Sequence, residues 1–270
     1  MEILFARNEQ KDCNAKPDPC GNAKKIILKK REMKTIIHKA ESRGFANHGW
    51  LKSYHTFSFA SYQNAERMNF GALRVLNDDV VQPEMGFGTH PHKNMEIISI
   101  PLKGALSHKD NMGNKRAIEV GEVQVMSAGT GLTHSEFNDS KMDEVNFLQL
   151  WIIPEKTGVT PNYEQRKFAS DQKANKLVTV VAPKDKLEGD ALPINQQAYI
   201  YRSYLEAGKN IDLAVKSKGN GFYLFVVNGK VEIANYILTS RDAIGIWETE
   251  RLTIKGNVNS EIIIIEVPMN

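Results

Sequence analysis

From Met33 onward the chain alternates short apolar runs with turn residues at close spacing. Ala72-Leu73-Arg74-Val75-Leu76, Ile97-Ile98-Ser99-Ile100, Phe147-Leu148-Gln149-Leu150-Trp151-Ile152-Ile153 and Val178-Thr179-Val180-Val181 are rich in β-branched, aromatic and other large apolar residues. Runs of that length bounded by turns predict buried strands rather than helices. Asn111-Met112-Gly113-Asn114 and Asn228-Gly229 read as hairpin turns between such strands. Helical periodicity is scarce. Closely spaced short strands of this kind predict an all-β chain built of barrels or sandwiches. The stretch Pro154 to Pro161 reads as a linker, which divides the β region into residues 33–155 and 156–270.

The first 32 residues follow a different pattern. They lack alternation, hold Cys13 and Cys20, and carry eight Lys/Arg against five Asp/Glu. They contain no apolar core of the ~7–15 residues that a signal peptide needs. They read as a disordered tail or an extension upstream of a start at Met33. The remainder has 27 charges of each sign, so the net +3 belongs to the tail. No basic face for nucleic acid is written into the body of the chain. No apolar run approaches the ~18 residues of a membrane span. At 41% hydrophobic and 25% charged, with two cysteines, the chain is expected to be soluble and cytoplasmic, in a reducing compartment.

Histidine placement changes the picture. The seven histidines are 38, 48, 55, 90, 92, 108 and 134, and none follows residue 134. Two dyads stand out, His90-Pro91-His92 and His134-Ser135-Glu136. On a strand, residues i and i+2 share a face, so each dyad presents two donors side by side. If the two strands face each other, four ligands converge. Three imidazoles and a carboxylate without thiolate suit Fe(II), Mn, Co, Ni, Cu or Zn. A structural zinc site is more often closed and rich in sulfur. Glycines lead into both dyads, at Gly86 and Gly88 and at Gly129 and Gly131, where the backbone can turn tightly. His55 reads as a packed residue, His108 and Asp110 as a local hydrogen-bonding pair before a turn, and His48 and Trp50 as rim residues. No nucleophile elbow, phosphate loop or paired catalytic carboxylates appears.

The segment Gly88-Thr89-His90-Pro91-His92-Lys93-Asn94-Met95-Glu96 resembles the first cupin motif, and the stretch from Gly121 to Asn138 resembles the second in its pirin form. Phe70 to Asp79, His108 to Asn114 and Pro161 to Phe168 are also similar to pirin text. The resemblance runs from about Thr35 to the C-terminus and extends in particular to bacterial pirin-like quercetin 2,3-dioxygenases. It implies two tandem cupin barrels of jelly-roll type, with His90, His92, His134 and Glu136 as metal ligands in the first. The second, residues 156–270, is expected to have no metal site. Ordinary cupins take their carboxylate from the position of Glu96. In the pirin pattern Glu136 takes that role, and Glu96 is expected to orient an imidazole without touching the metal.

The expected cofactor is one divalent transition metal per chain, with Fe(II) first. The expected partners are a small aromatic substrate and dioxygen, with Glu136 as general base. No organic cofactor is expected. The resemblance also includes pirins that act as iron- or redox-sensing binding modules for a transcription factor or metabolic enzyme, which would make a protein the partner.

Overall fold

The computed structural model describes residues 32–168 and 174–269. The tail assigned to residues 1–32, with Cys13 and Cys20, lies outside the described residues apart from Glu32.

The expected all-β architecture is present, with one short 3-10 turn at Ala40–Ser42 among the described residues. The first strands are β1 (Lys34–His38), β2 (Gly44–Asn47), β3 (Leu51–His55), β4 (Leu73–Val81), β5 (Gly86–His92) and β6 (Glu96–Lys103). They are followed by β7 (Ala105–Asp110), β8 (Lys115–Glu119), β9 (Glu122–Ser127), β10 (Leu132–Phe137), β11 (Val145–Ile152) and β12 (Asn162–Lys167). Next come β13 (Val178–Pro183), β14 (Leu192–Ile194), β15 (Tyr199–Leu205), β16 (Asn210–Ala214) and β17 (Asn220–Asn228). The last are β18 (Lys230–Ile233), β19 (Tyr236–Thr239), β20 (Ala243–Trp247), β21 (Arg251–Gly256) and β22 (Ser260–Pro268).

These strands form two cupin units, each with a seven-stranded and a four-stranded sheet. The first unit has the orders β12-β9-β6-β11-β4-β3-β2 and β5-β10-β7-β8. The second has β1-β20-β17-β22-β15-β13-β14 and β16-β21-β18-β19. The two large sheets share one apolar cluster. Ile98, Ile100, Val123, Val125, Leu148, Leu150 and Ile152 of the first pack with Val180, Ile200, Tyr223, Phe225, Ile263 and Ile265 of the second. Each such side chain, fully buried, contributes about 1.5–3 kcal/mol. The opposite faces of the same strands bury a second set, Phe147 with Leu106 and Ile118, and Ile97 with Met126 and Leu132. Burial on both sides explains why these strands read as continuous apolar runs.

Polar contacts lock the seam. Asp78 of β4 accepts from Arg43 at 3.2 Å and forms an ion pair with Arg241 of the second unit at 3.1 Å. Backbone Ala72 N–H donates to Pro268 O at 2.9 Å.

Three local expectations are corrected. Asn111 to Asn114 does turn β7 into β8, but Asn228-Gly229 joins strands of different sheets, because β17 pairs with β20 and β22 while β18 pairs with β19 and β21. Gly229, at φ +101°, turns the chain from one layer to the other. The Pro154–Pro161 stretch does not separate the units, since β12 beyond it pairs with β9 of the first. In the other direction, β1 pairs with β20 of the second. Each unit therefore takes a strand from across the division expected at 155/156.

The strand β1 ends on buried His38, whose Nδ1 lies 2.7 Å from the Tyr223 hydroxyl. Burial, aided by Arg67, lowers the His38 pKa from 6.5 to about 4. The unfolded chain therefore binds a proton there at higher pH than the folded one. The stability tied to neutral His38 is present above pH 6.5 and is lost as pH falls toward about 4. His38→Gln removes this titration. The wild-type advantage over His38→Gln in denaturant unfolding should shrink across that window, and parallel curves would contradict the assignment.

Candidate metal centre

The strands β5 and β10 pair antiparallel with His90 opposite His134. His92 joins them on the same face by the two-residue period. Pro91 between them lacks a donor, which is tolerated because β5 is an edge strand of its sheet. The three rings lie close, with centroids 4.9 Å apart for His90 and His92, 4.4 Å for His90 and His134, and 4.9 Å for His92 and His134. One nitrogen from each falls within 4.8 Å of the others.

The electronic state of these rings suits a cation. His90 Nδ1 lies 2.8 Å from Gly88 O, a pure acceptor, so in the neutral ring Nδ1 carries the hydrogen and Nε2 keeps its lone pair. His134 Nε2 is buried without a protein partner among the described residues. Leaving such an atom unpaired costs about 1–3 kcal/mol, a cost that a ligating ion removes. Burial, followed by neighbouring imidazoles, lowers His92 to about 4 and pushes His134 down further. Neutral imidazoles are what metals bind.

Glu136, the fourth expected ligand, lies two residues beyond His134 on β10. Between the His134–His90 and Glu136–Phe87 pairs β5 has one residue more than β10, a bulge that spans Gly88 and Thr89. Glu136 is buried and accepts from Gln149 Nε2 at 2.8 Å and from Ser99 Oγ at 3.3 Å. It forms a second group with His108 and His134, again within 4.8 Å, so His134 is common to both groups. Burial holds its pKa above the ordinary carboxylate range, against the lowering by Gln149.

Glu96 does not orient an imidazole, which corrects that expectation. Asn94, at φ +50°, breaks the chain between β5 and β6, and the two strands join different sheets. The alternation that would carry Glu96 to the histidine face is lost. Its carboxylate accepts from Ser127 Oγ and from Asn195 Nδ2 at 3.1 Å, the latter from the second unit.

His55 is packed as expected, edge-on to Phe59 at 5.3 Å, and Trp50 packs on Phe87 of β5. His108 and Asp110 form the expected local pair at 3.0 Å, with Asp110 Oδ1 accepting from the backbone of Met112 and Asn114. Sequence reading missed three residues. Gln149 holds Glu136, Trp151 packs edge-on to His92 at 5.0 Å, and Tyr163 lies 4.6 Å from the His108 ring. A polar Gln149 within the apolar run of β11 was the signal for the first. A cleft of about 420 Å³ opens beside His92, lined by Pro91, Lys93, Asn111, Gly131, Leu132 and Thr133.

Residues 37–152 match the family model described as Pirin, and residues 179–267 match that of the Quercetinase C-terminal cupin domain. The chain is 41% identical over 232 residues to the quercetin 2,3-dioxygenase of Escherichia coli (strain K12), covering 86% of this chain and 98% of that protein. It belongs to the pirin family. This pirin is also 40% identical over 223 residues to the pirin-like protein of Caulobacter vibrioides, covering 83% of this chain and 95% of the other. Among solved structures, YhhW from Escherichia coli matches with a TM-score of 0.83 at 39% identity, covering 88% of this chain and 99% of the other. The structure of that bacterial pirin in complex with nickel(II) matches with a TM-score of 0.82, again at 39% identity, covering 88% of this chain and 100% of the other.

The loop feeding β10 generates a prediction. Gly129 sits at φ +47°, and a β-carbon there would collide with Val159 O. In this pirin Gly129→Ala should therefore lower the unfolding free energy by about 1–3 kcal/mol. Denaturant titration checks this, and an unchanged midpoint would show that the loop has room to adjust.

Proposed function

We propose that the chain is a metal-dependent dioxygenase of the pirin type that acts on a flavonol-like aromatic enol, with one divalent metal held by His90, His92, His134 and Glu136. The observation that carries this reading is the trio of converging imidazoles, with the unpartnered Nε2 of His134 among them, beside an open cleft. The relatives named quercetin 2,3-dioxygenase and the nickel(II) complex of the Escherichia coli pirin support it. A nitrogen and oxygen donor set without sulfur is compatible with Fe(II), our first choice, and with Mn, Co, Ni, Cu or Zn. When bound, such an ion supplies Lewis acidity that lowers the pKa of a coordinated hydroxyl.

The chain's own residues divide the remaining work. Glu136 takes the proton of the substrate hydroxyl. Its burial makes it a stronger base than an exposed carboxylate, which suits general-base catalysis near neutral pH. Gln149 and Ser99 keep its two oxygens in place. Trp151 orients His92 through its edge contact. Pro91 and Leu132 offer the cleft's apolar flank to an aromatic ring, while Lys93 and Asn111 offer polar groups to its hydroxyls. Both oxygen atoms of dioxygen end in the cleaved product, so no external reductant is required.

Anaerobic purification should yield one metal equivalent per chain, lost in His134→Ala. Oxygen uptake with a panel of flavonols should then follow metal content. Glu136→Gln, loaded with metal, should still bind a flavonol, seen as a red-shifted absorption. It should turn the flavonol over about 100- to 10,000-fold more slowly, with partial rescue at higher pH. A metal-loaded protein that consumes no oxygen with any flavonol would overturn the enzymatic reading in favour of a metal-sensing binding module.

A further inference from the structure

Behind His134 runs a chain of two buried groups, His108 and Asp110, that the proposed reaction does not use. His134 Nδ1 lies 3.4 Å from His108 Nδ1, and His108 Nε2 lies 3.0 Å from Asp110 Oδ2. The His108 and Asp110 side chains are wholly shielded from solvent. Tyr163 covers the His108 ring, its plane inclined by 31°. Asp110 is itself anchored, accepting from Asn114 Nδ2 at 2.8 Å on the oxygen that faces His108 and from two backbone N–H groups on the other.

The donor and acceptor roles in this chain are not free. A carboxylate only accepts, so His108 must carry its hydrogen on Nε2. In the neutral ring its Nδ1 is then a lone pair, which can only accept from His134. That places the His134 hydrogen on Nδ1 and leaves Nε2 bare, the atom found buried without a protein partner. The reverse polarity, with His108 donating through Nδ1, would put the hydrogen of a neutral His134 on Nε2 and close it to a metal.

We propose that Asp110, acting through His108, is a positioning residue that fixes the tautomer of His134 and so keeps Nε2 open for metal. The inference rests on His134 being a ligand, as proposed above. Its logic extends the general rule that a metal-bound imidazole is oriented by the partner of its other nitrogen. Here the partner is a second imidazole, and the carboxylate acts one ring further back. The two-residue spacing of His108 and Asp110 puts both on the same face of β7, and β10 lies alongside with His134 opposite Asp110 and Glu136 opposite His108.

Asp110→Asn separates this role from simple packing, because it is isosteric but supplies an amide donor. The Asn amide would donate to His108 Nε2, reverse the chain, and move the His134 hydrogen to Nε2. Nickel(II) affinity of the full-length protein, measured by chelator competition, should fall about 10- to 100-fold. In the metal-free protein the ¹⁵N shifts of His134 should change from the Nδ1–H to the Nε2–H pattern. Asn114→Ala loosens the same turn without changing Asp110 as an acceptor, and should leave affinity within about threefold of wild type and the ¹⁵N pattern unchanged. An Asp110→Asn protein with wild-type affinity and wild-type His134 shifts would overturn the proposal. So would Asn114→Ala weakening nickel binding as much as Asp110→Asn, since turn geometry would then set the site. His134→Ala is the reference. If it retains tight nickel binding, the ligand assignment itself fails rather than the relay.

Discussion

Leu148, Leu150 and Ile152 are pressed into the seam between the two large sheets, and the site's geometry depends on that placement. Strand side chains alternate, so committing these three to the seam commits Phe147, Gln149 and Trp151 to the opposite face. There the four-stranded sheet carries Glu136 and the histidines. A slip of one residue in β11 would bring Gln149 into the apolar seam and a leucine against Glu136. The seam is buried from both sides and crossed by the Asp78 contacts with Arg43 and Arg241, which oppose such a slip. The hydrogen bond that holds Glu136 is thus a consequence of apolar packing on the other side of the same strand.

Below the carboxylate the same register lines up a polar belt. Asn77 lies opposite Gln149, Gln149 opposite Ser99, and Ser99 opposite Gln124, and all four are buried. Asn77 Oδ1 and Gln124 Nε2 have no protein partner among the described residues. Each such atom costs about 1–3 kcal/mol of stability. A fold selected for stability alone would fill these positions with apolar side chains. The belt instead gives the interior the polarity that an ionisable carboxylate and three imidazoles need, an instance of local rules being broken at a functional site.

Much of this was legible from residue order, and the misses share a physical cause. The two dyads needed only the two-residue period and a pairing between their strands, and the structure supplies both for the histidines. Glu96 failed because one left-handed residue, Asn94, interrupts the period, and nothing in Lys93-Asn94-Met95 distinguishes a break from a continuing strand. Asn228-Gly229 failed because a turn dipeptide specifies a change of direction but not which strand it pairs with. The exchange of β1 and β12 between units depends on long-range pairing partners, which local patterning does not encode. His108 was read as a local partner of Asp110, and it is. Its second contact, to His134, requires β7 and β10 to be neighbours.

The second unit fills the same architecture with apolar side chains. Its interior is filled by Tyr199, Tyr201, Phe222, Leu224, Ile262 and Ile264 in one apolar cluster, where the first unit has two small clusters and the polar belt between its sheets. Its own buried carboxylate, Glu266, makes the contrast sharper. It accepts from the backbone of Lys216 and Ser217, from Asn220 and from the Tyr201 hydroxyl, at 2.9–3.1 Å. Four donors saturate a carboxylate and fix it as structure. Glu136 has two side-chain donors, one of them long at 3.3 Å, and imidazoles within reach. Its remaining lone pairs are available for a proton or a metal ion. The difference between the two buried acids of these related units therefore lies in the number of fixed donors around each, since both are hidden from water.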